Sequence, residues 1–145
     1  MTISVVLDAD GLDALCEPRP SRKMHSLLRE WRVRDWNIFV PAVVCAEACR
    51  GVPRTRCVEA TLARHDPARS TRPAVNIVPT DFALARQVGA ILHGAGADSS
   101  DMVDAHVVAV CAVHGGGMVI TADSKDIRRL AQAVPSVRIL TRSSR

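Results

Sequence analysis

Met118-Val119-Ile120-Thr121-Ala122-Asp123-Ser124-Lys125-Asp126-Ile127 decides the fold class. Its apolar first half has the length and β-branched content of a buried strand. Its second half turns polar and predicts a helix over about 124–132. A strand running straight into a helix is the half-unit of a parallel α/β sheet. An acid, Asp123, stands where the strand ends. The chain opens in the same way, because Ile3-Ser4-Val5-Val6-Leu7 predicts a strand that Asp8 ends.

Working outward, strands are predicted over 3–8, 37–40, 74–78, 118–121 and 137–140, with 141–145 as a flexible tail. Helical patterns lie between them. A short helix starts at Leu12. A longer one over 21–35 carries Met24, Leu27, Leu28 and Trp31 on one face. Pro41 opens another, which Gly51 and Pro53 end, and 55–65 follows. Thr80 caps a helix carrying Phe82, Ala85, Val88 and Leu92, which Gly94-Ala95-Gly96 stops. Ser99, Ser100 or Asp101 caps the helix that contains Asp104. The expectation is a single α/β domain over 1–145, with a central, mainly parallel sheet flanked by helices.

Composition bounds the function. Hydrophobic residues make up 48% of 145, enough for one real core. No apolar run reaches about 18 residues, so no membrane span is expected. Without a basic leader a cytoplasmic protein is expected. Five cysteines without dense spacing read as reduced, buried thiols. Cys45, Cys49, Cys57 and His65 fit no familiar zinc spacing. Net charge is +4, almost all of the basic residues being Arg, which suits a polyanion or simply a soluble surface.

The acids carry the chemistry. Asp8, Glu47, Asp104 and Asp123 lie at the ends or on the inner faces of apolar segments, far apart in sequence. Parallel sheets gather such residues at the carboxyl ends of their strands. Carboxylates are costly to desolvate without a partner, and no Lys or Arg shares their segments. A divalent cation with hard oxygen ligands, Mg²⁺ or Mn²⁺, is the expected partner. Each acid alone has a bland reading: Asp8 and Asp123 as turn residues, Asp104 as a capping acid. As a set, that reading is weaker, since Glu47 and Asp8 have no evident capping role. Asp101 shares a helical face with Asp104, and Asp126 with Asp123. Asp8-Ala9-Asp10 also matches the start of haloacid-dehalogenase-like phosphatases, weakly, in a chain short for that class.

The chain resembles PIN-domain ribonucleases, in particular the VapC toxins of VapBC toxin–antitoxin pairs. The matching pieces are Val5–Ala9, Val40–Gly51, Asp104–Ala109 and Val119–Ile127, and the likeness spans nearly the whole chain. It implies a three-layer fold and an acidic pocket of Asp8, Glu47, Asp104 and Asp123, with Thr121 as the hydroxyl beside the fourth acid. Asp8 and Asp104 are then the Mg²⁺ ligands most securely implied. Asp123, Asp126 or both supply the last acid, and Asp101 holds a water on the metal. The implied activity is endoribonuclease cleavage by metal-activated water, with Glu47 or Asp123 placing that water. Arg50, Arg54 and Arg56 hold the RNA backbone or are solvated charges. His106 is a general acid or a packed side chain. A homodimer and a cognate antitoxin are implied as partners, with the Met24, Leu27, Leu28 and Trp31 stripe either docking an antitoxin helix or covering the sheet. A catalytically silent RNA- or protein-binding module and a small phosphatase remain as alternatives.

Overall fold

The computed structural model describes residues 3–145. Its five strands are β1 (Ser4–Leu7), β2 (Asn37–Pro41), β3 (Val75–Val78), β4 (Gly117–Thr121) and β5 (Ile139–Ser143). They form one sheet in the order β3-β2-β1-β4-β5. Every pairing is parallel, with Val5 opposite both Ile38 and Met118. The central strand β1 is the most buried, from Val5 to Leu7, as expected of a parallel strand covered on both faces. The edge strands carry polar residues, Asn76 in β3 and Thr141, Arg142 and Ser143 in β5.

Seven helices flank the sheet: α1 (Ala9–Cys16), α2 (Arg22–Arg34), α3 (Ala42–Ala48), α4 (Val52–Arg64), α5 (Phe82–Gly94), α6 (Met102–Val113) and α7 (Ser124–Ala131). Met24, Leu27 and Trp31 of α2 line one small cavity together with Val5, Leu7, Ile38 and Ile120 of the sheet. Helix α6 is apolar nearly all round. It is accordingly the buried one, with Ala105 and every residue from Val107 to Cys111 inaccessible to solvent. It runs against β1, β2, β4 and β5 and is itself covered by α5 and α7. None of the described helices is long and apolar enough to cross a membrane.

Several local expectations change. Helix α1 begins at Ala9, three residues before Leu12, because Asp8 caps it. Pro53 starts α4 instead of ending α3, since proline needs no amide in a first turn. Asp81, not Thr80, caps α5, its carboxylate accepting the Leu84 amide at 2.8 Å. Only Cys111 of the five thiols is buried, and Cys57 is exposed. The largest correction is at the carboxyl terminus. Thr141, Arg142 and Ser143, expected in a flexible tail, pair with Val119, Ile120 and Thr121. The Ser144 amide then donates to the Thr121 carbonyl at 3.0 Å. Arg142 adds a two-pronged bond to Glu30 of α2, at 2.9 and 2.8 Å, which holds the Glu30 carboxyl below its usual range. A short polar edge strand has little hydrophobic pattern, so this ion pair and the ladder identify it where sequence does not.

Candidate active site

Asp8 stands at the carboxyl end of β1 and caps α1. Its Oδ1 accepts the Gly11 amide at 2.8 Å, so Asp8 has the capping role that sequence alone does not reveal. Gly11 is required by the same approach: a Cβ there would lie 2.6 Å from the Ile120 carbonyl oxygen. The carboxylate is only 5% exposed. Burial drives its pKa up to about 6, more than the Thr121 hydroxyl and the Gly11 amide draw it back down.

Asp104 is the third residue of α6, half-buried. Its pKa is also raised to about 6, first by burial and then by the negative charges of Asp8, Asp126, Glu47 and Asp101. One carboxylate thus feels four others, brought in by β1, α3, the start of α6 and α7. Glu47 sits in the second turn of α3, directly after β2.

Asp123 is placed differently. It is exposed and caps α7, its Oδ1 accepting the Lys125 amide at 3.0 Å. Thr121, 2% exposed, does more than pack the strand. Its hydroxyl donates to the Asp123 carbonyl at 3.0 Å and accepts the Asp123 amide at 3.1 Å. One hydroxyl thus closes the turn from β4 into α7. Asp101 occupies the position before α6 without capping it. Its carboxylate instead takes Nη2 of Arg129 at 2.8 Å, and the same nitrogen lies 3.5 Å from Asp126 Oδ1.

The donor set fits a hard divalent cation. Among the described residues, no basic side chain forms an ion pair with Asp8, Glu47, Asp104 or Asp123, and raised pKa values in two adjoining carboxyls mark charge that lacks compensation. Among the same residues, no three His, Cys, Asp or Glu side chains converge closely enough to form a ready-made cage. Mg²⁺ does not require one, since it commonly keeps several waters and takes only one or two carboxylates.

Other candidates resolve more simply. His106 is buried with Nδ1 2.8 Å from the Met102 carbonyl, within its own helix, as a packed side chain. Arg50, Arg54 and Arg56 are exposed, and Arg54 pairs with Asp13 at 3.2 Å. Met24, Leu27 and Trp31 are core residues, while Leu28 and one side of Trp31 line a groove of about 900 Å³. Sequence reading overlooked Gly11 and Arg129. The spacing Asp126-Ile127-Arg128-Arg129 held the signal for Arg129, because residues three apart share a helical face.

Fold and site together define an α/β domain with carboxylates gathered at the carboxyl edge of a parallel sheet. Residues 18–133 match the PIN domain family, and the chain belongs to it. The match begins beyond Asp8, whose place rests on the structure. No curated protein matches the chain. Among solved structures, VapBC2 from Rickettsia felis bound to a promoter DNA fragment is similar, at 15% identity and a TM-score of 0.62, covering 97% of this chain and 99% of that one. FitAcB from Neisseria gonorrhoeae is 17% identical with a TM-score of 0.60, covering 94% and 96%. DNA-bound VapBC from Salmonella typhimurium is 17% identical with a TM-score of 0.59, covering 96% and 98%. At these identities the likeness is one of fold.

Proposed function

We propose that this PIN domain is a metal-dependent endoribonuclease and the toxin of a toxin–antitoxin pair. The observation that carries the nuclease reading is the gathering of carboxylates around Asp104, of which Asp8, Glu47 and Asp104 itself form no ion pair among the described residues. Asp8 and Asp104 would hold the ion, Mg²⁺ or Mn²⁺, with Glu47 and Asp126 reaching it through water. A bound ion there would supply an activated water and stabilise charge on the phosphoryl oxygens of the RNA. The chain's own part is to fix geometry. The Gly11 amide holds the Asp8 carboxylate, the buried α6 holds Asp104, and Glu47 stands free to accept a proton from the attacking water. With only two Trp and two Phe in the chain, base stacking contributes little, and the RNA is held through its backbone.

The antitoxin reading draws on the VapBC names of the similar structures and on the groove beside α1, α2 and α4. Leu15, Leu28 and Trp31 give the groove an apolar floor, and Arg29, Arg32, Arg64 and Arg72 give it a cationic rim. An amphipathic helix with acids along its flanks suits such a surface. Self-association into a homodimer, and a hetero-oligomer with the antitoxin, belong to the same proposal.

A second reading is a PIN fold that binds RNA or protein without cleaving it, favoured by the missing convergence of three ligands. Substitution separates the two. Asp8→Asn and Asp104→Asn each abolish RNA cleavage while far-ultraviolet circular dichroism stays native. Full cleavage by both folded variants removes the nuclease site as drawn.

A further inference from the structure

Resting on that reading of the site, we infer that Arg129 is a positioning residue that clamps the start of α6 to the start of α7 and so holds Asp126 beside Asp104. Its Nη2 reaches Asp101 Oδ1 at 2.8 Å and Asp126 Oδ1 at 3.5 Å. Asp101 precedes α6 and Asp126 lies in the first turn of α7, so one guanidinium joins two elements that each bring an acid to the pocket. Asp101 spends its carboxylate on this bond, since it forms no cap to its own helix. Its side chain is 17% exposed, well shielded for a residue at a helix start. Arg129 is placed by its own helix: Ile127 and Leu130 are buried against the core, which fixes the roll of α7 and turns Asp126 and Arg129 to one side. Among the described residues, Arg129 is the one basic side chain paired with any acid of the pocket. A carboxylate near a metal site is usually held by a hydrogen-bonded partner of this kind, and losing that partner weakens metal binding by about ten- to a hundredfold.

Mn²⁺ binding to the purified chain, without RNA, tests this by titration calorimetry. Arg129→Gln weakens Mn²⁺ binding about tenfold or more, and Arg129→Lys recovers part of the loss. In an Asp101→Asn background, Arg129→Gln costs much less than it does alone, because the clamp is already broken. Side-chain exposure of 42% at Arg129 makes these variants tolerable to the fold, and thermal melting checks it. If wild-type and Arg129→Gln chains bind Mn²⁺ equally, or the two losses simply add, the clamp is wrong and the metal site stands. A wild-type chain that binds no Mn²⁺ removes the metal reading and the clamp with it.

Discussion

The Asp8 carboxylate accepts the Gly11 amide, lies almost wholly out of water, and has a pKa near 6. In the metal-free chain its charge is therefore a cost to folding. A raised native pKa favours the fold fully below the unfolded pKa of 3.8, and that contribution is lost as pH rises through about 6. A rise from 3.8 to about 6 corresponds to about 3 kcal/mol, an upper figure for this site. Asparagine caps a helix as well as aspartate does. Asp8→Asn is accordingly expected to raise the metal-free melting temperature at pH 7.5 in EDTA by roughly 5–10 °C. That gain shrinks through pH 6 and disappears below pH 4. A variant that melts lower at pH 7.5, or shows the same gain at every pH, contradicts the burial argument. At this scale much is legible in sequence: Asp8, Glu47 and Asp104 stand out because each interrupts or ends an apolar run. The capping by Asp8 and the role of Gly11 do not, since both depend on how closely α1 approaches the Ile120 carbonyl on another strand.

Helix α7 shows where sequence pattern stops helping at the scale of elements. Asp123 and Asp126 are three apart, and either suits a site at the end of β4. Their surroundings separate them: Asp123 is an exposed cap, and the negative charge of Asp126 is among those that raise the Asp104 pKa. We expect Asp126→Asn to lower RNA cleavage about ten- to a hundredfold, in line with disturbed metal surroundings. Asp123→Asn keeps both the cap and cleavage within about twofold. Initial rates of cleavage at saturating Mn²⁺ decide this, and equal losses would return Asp123 to the pocket. Strand β5 makes a similar point about legibility. Ile139-Leu140-Thr141-Arg142-Ser143 has no strict alternation, so its second half reads as a tail. What makes it a strand is the open edge of β4 and the Arg142–Glu30 bond, both distant in sequence. The long helices α2 and α5 are legible because their apolar spacing is sustained over three turns or more.

Across the whole molecule, the fold class follows from apolar runs that alternate with helical spacing, and the parallel sheet then gathers acids from four segments at one edge. The groove is only half legible. The stripe on α2 is visible in sequence, but whether it faces the sheet or solvent depends on the roll of that helix, and the structure assigns Met24 and Leu27 to the core and Leu28 to the groove. The central claim is that the acidic edge cleaves RNA with the help of a divalent ion. Its most direct test is incubation of total cellular RNA with the purified chain in Mg²⁺, in Mn²⁺ and in EDTA. Discrete fragments are expected with either metal and none in EDTA. Fragments that persist unchanged in EDTA, or intact RNA with every metal from folded protein free of any antitoxin, would contradict it.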